Sequence, residues 1–168
     1  MTSGSLRLRL AAGGALALAV ALLIAGVGLV QLFERNALRA LESELEADLR
    51  QALSVLELDA GAKPALTRTL TDPRFDEPMS GLYWQLGTPD GVAARSRSLW
   101  DETLKLPGDS LSPGEIHRHL VTLPDGRPAV AIERVVIMTA NGKDLPVRIV
   151  VAADTSRVAA AKRAFTGE

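Results

Sequence analysis

Residues 10–33 (LAAGGALALAVALLIAGVGLVQLF) carry no charge and a single polar side chain, Gln31. This run constrains the chain more than any other feature. As a helix rising 1.5 Å per residue it reaches roughly 36 Å, enough to cross a hydrocarbon core of about 30 Å with some tilt. A lone segment cannot close a barrel, so only a helix satisfies its backbone in lipid. A cleaved signal peptide has a shorter apolar region followed by a small-residue cleavage site; here the run is longer and continues directly into helical sequence. The expectation is an uncleaved transmembrane helix.

Arg7 and Arg9 precede the run without an acid beside them. The positive-inside rule then puts residues 1–9 in the cytoplasm and the carboxyl-terminal portion across the membrane, which for a bacterium means an inner-membrane protein facing the periplasm. Gly13, Ala17, Ala21 and Ala25 recur every fourth residue and offer a small-residue packing stripe within the span, although alanine richness alone gives the same pattern.

All 20 acids and 17 of the 19 Lys and Arg lie beyond residue 33, giving that part a net charge of −3. No basic surface for nucleic acid is expected. With no cysteine, disulfides, thiolate metal sites and a Cys nucleophile are excluded. No enzyme motif and no cofactor motif occurs.

Residues 34–58 (ERNALRALESELEADLRQALSVLEL) read as an amphipathic helix with Leu38, Leu41, Leu45, Leu49, Ala52 and Leu56 on one strip and neither Pro nor Gly to interrupt it. No breaker separates it from the span, so the two form one rod in which displacement at one end appears at the other. The strip can face a sheet on one flank and a partner subunit on another, with Leu38, Leu41, Leu45 and Leu49 as candidate dimer contacts. Gly61 and Pro64 stop the helix. Residues 65–80 read as an irregular or short helical connection. Five strands follow, over 81–87, 92–98, 115–123, 128–138 and 145–153. Three of the four connections carry an Asp-Gly or Asn-Gly turn that signals a hairpin. Asp154 and Thr155 cap a short closing helix over 155–165. The fold class is α+β: a cytoplasmic tail (1–9), a transmembrane helix (10–33), a long extracytoplasmic helix (34–58), a five-stranded antiparallel sheet domain (59–153) and a closing helix (154–168).

Three groups of side chains invite a functional reading. His117 and His119 share a strand face and could grip one metal ion, but no third ligand is evident. Asp72, Asp76 and Glu77, and Asp101 with Glu102, could hold a cation or be solvated loop charges. Arg95, Arg97, Trp100 and Asp101 sit where a strand gives way to a loop. An arginine pair beside an aromatic suits a carboxylate or phosphate; alternatively Trp100 plugs the core under the loop.

The stretches SLRLRL, FERNALRALESELEADLRQAL, DPRFDEPMSGLYWQL, RSRSLWD and VVAADTSRVAAAKRAF occur in that order. Their sequence resembles the amino-terminal sensory half of a proteobacterial two-component sensor histidine kinase, over nearly the whole chain. The resemblance implies a PAS-like periplasmic sensor, a homodimer, autophosphorylation on a cytoplasmic histidine, and phosphotransfer to a response regulator. The second span, HAMP linker, phosphoacceptor helix and ATP-binding domain of that family do not appear before Glu168, so the chain reads as a fragment or truncated product of such a kinase, without kinase activity of its own. His117 and His119 lie in an extracytoplasmic strand and are not phosphoacceptors. The rival readings are a single-pass envelope binding or assembly protein and, with least support, an anchored enzyme.

Overall fold

The computed structural model describes residues 3–108 and 112–156. Helix α1 runs unbroken from Ser3 to Ser54. Its apolar part has a mean hydropathy of 2.5 and is not buried by any other element, so it is long and apolar enough to cross a membrane. Leu16, Leu22, Leu23, Ile24 and Leu29 are all exposed. In water such a continuous apolar wall would be unfavourable by about 25 cal/mol for each Å². Gly13, Ala17, Ala21 and Ala25 stand on this exposed length.

α1 ends at Ser54, earlier than the periodicity implied, and Leu56–Leu58 forms strand β1, paired antiparallel with β2 (Pro64–Leu66). Leu56 fits both patterns, four residues after Ala52 and two before Leu58. Pairing across the turn decides between them. The Asp59 carboxylate fixes that turn by accepting from the Gly61 and Lys63 amides at 2.8 and 2.9 Å. The connection then holds a 3-10 turn at Pro73–Phe75, capped by Asp72, which accepts from the Arg74 amide at 2.9 Å.

The remaining strands are β3 (Leu82–Thr88), β4 (Gly91–Arg95), β5 (Ile116–Thr122), β6 (Pro128–Ala140) and β7 (Lys143–Asp154). They form one antiparallel sheet of five strands, as the turn signals implied, in the order β4-β3-β7-β6-β5; the pairing of β3 with β7 joins strands that no hairpin connects. β4 is shorter than the alternation suggested, because a second 3-10 turn takes over at Arg97–Leu99. The closing helix expected over 155–165 lies, beyond Ser156, outside the described residues.

Alternation along the strands makes two cores, one on each face. On the first face Leu45, Leu49 and Ala52 of α1 meet Leu82, Leu86, Val130, Ile132, Ile149 and Val151. Full burial of each large aliphatic chain contributes about 1.5–3 kcal/mol. Leu45 and Leu49 are 0% and 1% exposed. They belong to the core of their own chain rather than to a partner's surface, which corrects half of the dimer strip read from the sequence. Leu38 and Leu41 remain only partly covered. On the second face Tyr83, Ala131, Val150 and Ala152 are roofed by Leu99 and Leu104 from the segment after β4.

Candidate functional site

The segment joining β4 to the roof of the second core contains the residues singled out above. The Ser96 amide donates to the Trp84 carbonyl at 2.9 Å, and the Trp84 amide donates to Ser96 Oγ at 3.1 Å. Ser96 Oγ and Ser98 Oγ share a hydrogen bond of 2.8 Å, and Ser98 Oγ donates to the Leu82 carbonyl at 2.7 Å. Both serines are buried. A pair of satisfied hydroxyls thus clips the 3-10 turn to the start of β3.

Leu99 turns inward and is 1% exposed, whereas Trp100 turns outward and is 62% exposed. The core-plug reading of Trp100 is therefore corrected: its neighbour takes that role. Trp100 adopts φ 54°, ψ −121°, a conformation that a side chain disfavours and that costs about 1–3 kcal/mol. Two bonds impose it. The Trp100 amide donates to the Arg97 carbonyl at 2.9 Å, and its carbonyl accepts from Arg95 Nε at 3.0 Å. Arg95 also lies 4.0 Å from Asp101, whose side chain is 90% exposed. Arg95 is thus committed to holding the turn, while Arg97, Trp100 and Asp101 face outward. Met79 lies alongside, at φ 58° and 44% exposed, its amide donating to the Ser98 carbonyl at 3.0 Å. The four residues make an outward rim, not an enclosed pocket.

The acidic residue Asp72 is not a free loop charge. Arg74 binds it through Nε at 3.0–3.1 Å and reaches Glu44 of α1 at 2.5 Å. Hydrogen bonding to Arg74 holds the Asp72 carboxyl below its ordinary range. Asp48, one helical turn beyond Glu44, has the opposite environment. Burial, then the charges of Glu44 and Asp72, push its pKa up to about 6. Its Oδ2 is buried without a hydrogen-bond partner. Asp76, Glu77 and Glu102 are exposed.

The second face holds a polar group that the sequence reading missed. Glu133 is fully buried and accepts from His119 Nε2 at 2.6 Å and from Arg148 Nη2 at 2.6 Å. The available signal was its position: Glu133 occupies the same face of the strand as Ala131 and Val135, between apolar neighbours. His117 and His119 stack nearly parallel with ring centroids 6.4 Å apart. Each turns Nε2 to a different carboxylate, Glu115 at 3.5 Å for His117 and Glu133 for His119. They do not converge on a common point, and no group of three or more such side chains among the described residues is arranged to hold a metal ion. At the opposite end of the sheet, Lys63, Thr88, Asp90 and Leu145 line a cavity of about 270 Å³ between the β1–β2 and β3–β4 turns.

No family model matches the chain, and no curated protein matches it. Among solved structures it is similar to a Mycobacterium tuberculosis transcriptional regulator, at 16% identity and a TM-score of 0.36; the overlap covers 48% of this chain and 28% of that one.

Proposed function

We propose that the chain is the signal-input module of a membrane-bound two-component histidine kinase. In this reading α1 crosses the bacterial inner membrane with Arg7 and Arg9 inside, and the PAS-like sheet domain lies in the periplasm. The observation that carries it is the unbroken helix from Ser3 to Ser54, whose last turns are part of the sheet domain's own core. A stimulus that alters packing at Leu45 or Leu49 acts directly on the membrane-crossing element. Such a switch needs differential affinity of the signal for two packings, typically worth about 1–3 kcal/mol. The partners are the membrane, a second copy of the chain and, through a cytoplasmic kinase portion, a response regulator.

With Leu45 and Leu49 in the core, the wall of α1 left for a second copy is Asn36, Ala40, Ser43 and Ala47, all exposed. Small side chains there allow close helix approach.

Reading the coding frame beyond Glu168 tests the proposal. The expected result is a second apolar run, a helix with a phosphoacceptor histidine and glycine-rich ATP-lid motifs, in a product that labels on histidine with ATP. A frame without them favours the single-pass binding or assembly protein instead.

A further inference from the structure

The course of the chain along α1 fixes which end of the sheet domain faces the membrane. The Thr67 amide donates to the Val55 carbonyl at 2.9 Å, the Thr71 amide to Gln51 at 3.3 Å, and Arg74 to Glu44 at 2.5 Å. From Thr67 to Arg74 the connection therefore descends α1 by 11 residues, about 16 Å toward the apolar run. Met79 follows five residues later, and only then does β3 turn back upward. β7 returns to the same end, where the Asp154 amide donates to the Gly81 carbonyl at 2.8 Å. β4 also runs downward, so Trp100 stands at the turning point before the roof segment ascends; Leu104 there is held by Gln85 at 2.8 Å.

Glu44 is itself 11 residues above Phe33, again about 16 Å. The headgroup layer fills roughly the first 5–7 Å of that height. The Met79 amide's bond to the Ser98 carbonyl, 3.0 Å, sets Met79 and the turn that carries Trp100 side by side at the end of the sheet that faces this interval. Met79 and Trp100 are large apolar side chains exposed on this lower rim, and both are held there by backbones at positive φ. Arg97 is exposed beside them.

We propose that Trp100 and Met79 form a lipid-facing rim whose side chains reach down to the headgroup layer of the membrane crossed by α1, with Arg97 directed at lipid phosphate. Indole is amphipathic and concentrates at membrane interfaces, and a guanidinium pairs well with phosphate. The bond from Arg95 to the Trp100 carbonyl and the buried Ser96–Ser98 pair fix the backbone that carries the exposed ring. The sheet domain then meets the bilayer at a second place besides α1. This inference rests on α1 spanning the membrane.

The test uses the full chain in phosphatidylcholine–phosphatidylglycerol vesicles, with Trp84→Phe leaving Trp100 as the only tryptophan. Lipids brominated near the headgroup end of their acyl chains are expected to quench its emission, while aqueous iodide does not. Emission open to iodide and indifferent to bromine overturns the proposal. So does emission shielded from both, which means that a second copy or another protein covers the ring. Should Trp84→Phe impair folding, the difference between the wild-type chain and Trp100→Phe gives the same reading. Leu32→Trp in a chain lacking both native tryptophans reports insertion separately. If Leu32→Trp is not quenched by brominated lipid, the anchor reading fails; if it is and Trp100 is not, the rim alone fails.

Discussion

Arg148 on β7 holds both carboxylate oxygens of Glu133 on β6, Nε donating to one and Nη2 to the other, and Glu133 has no solvent exposure. Removing one partner of a buried pair strands the other's charge. Glu133→Ala should therefore cost about 3–5 kcal/mol, read as a lower urea midpoint for the sheet domain. Replacing Glu133 and Arg148 together by Leu and Met should recover most of the loss. A Glu133→Ala chain as stable as the wild type would show that the pair is solvated.

Asp48 gives the domain an acid response. Its folded pKa, near 6, exceeds the ordinary 3.8. Between those values the folded chain keeps a proton that the unfolded chain has lost. Stability from this group is therefore fully present below pH 3.8 and lost as pH rises through about 6. Asp72, held below its ordinary value by Arg74, has the reverse sign and loses its contribution as pH falls through its depressed value. Acidifying from pH 7.5 to 5 should stabilise the wild-type chain by about 1 kcal/mol, after allowance for solvent screening at this half-buried position. Asp48→Asn should flatten that slope, as urea titration at the two pH values will show.

The two walls of α1 should separate in a cysteine experiment. The chain has no native cysteine, so single cysteines report without background. If two copies associate through α1, cysteines at Ser43 or Ala47 should crosslink in membranes, while those at Leu45 or Leu49 should not. Leu49→Ala should instead destabilise the domain itself by about 2–5 kcal/mol. Efficient crosslinking at Leu45 would mean that α1 leaves the sheet.

Trp100→Gly removes a side chain from a backbone conformation that suits glycine. Relief of about 1–3 kcal/mol of strain outweighs the extra unfolded-state entropy of glycine, about 0.5–1 kcal/mol. In detergent micelles, without a bilayer surface, the variant should be as stable as the wild type or about 1 kcal/mol more stable by urea unfolding. A clear loss would mean that the exposed ring is packed after all.

The helix and the five strands were legible because their signals are local. An unbroken apolar run, a leucine strip at helical spacing and Asp-Gly or Asn-Gly between alternating runs each specify an element without reference to distant residues. The β1–β2 pair was not legible, since Leu56 satisfies two periods and only its partner Leu66 decides between them. The direction of Trp100 was equally hidden. Leu99 and Trp100 are adjacent apolar residues, and which one turns inward follows from two bonds made by Arg95 and Arg97. Glu133 was visible as a charge at an inward register, but its partners come from β5 and β7 and no local pattern announces them.

Packing of Leu45 against the sheet also sets the azimuth of everything below it on α1. Eighteen residues make five turns of about 3.6 residues, so Ala25, eighteen before Ser43, stands directly beneath it, and Leu29 stands beneath Ala47. Of the small-residue stripe, Ala25 shares the azimuth that points away from the sheet, whereas Gly13 has wound round toward the sheet's own side. Two such helices meeting along Ser43 and Ala47 would touch at Ala25 and diverge by Gly13, crossing near the sheet domain and splaying away from it.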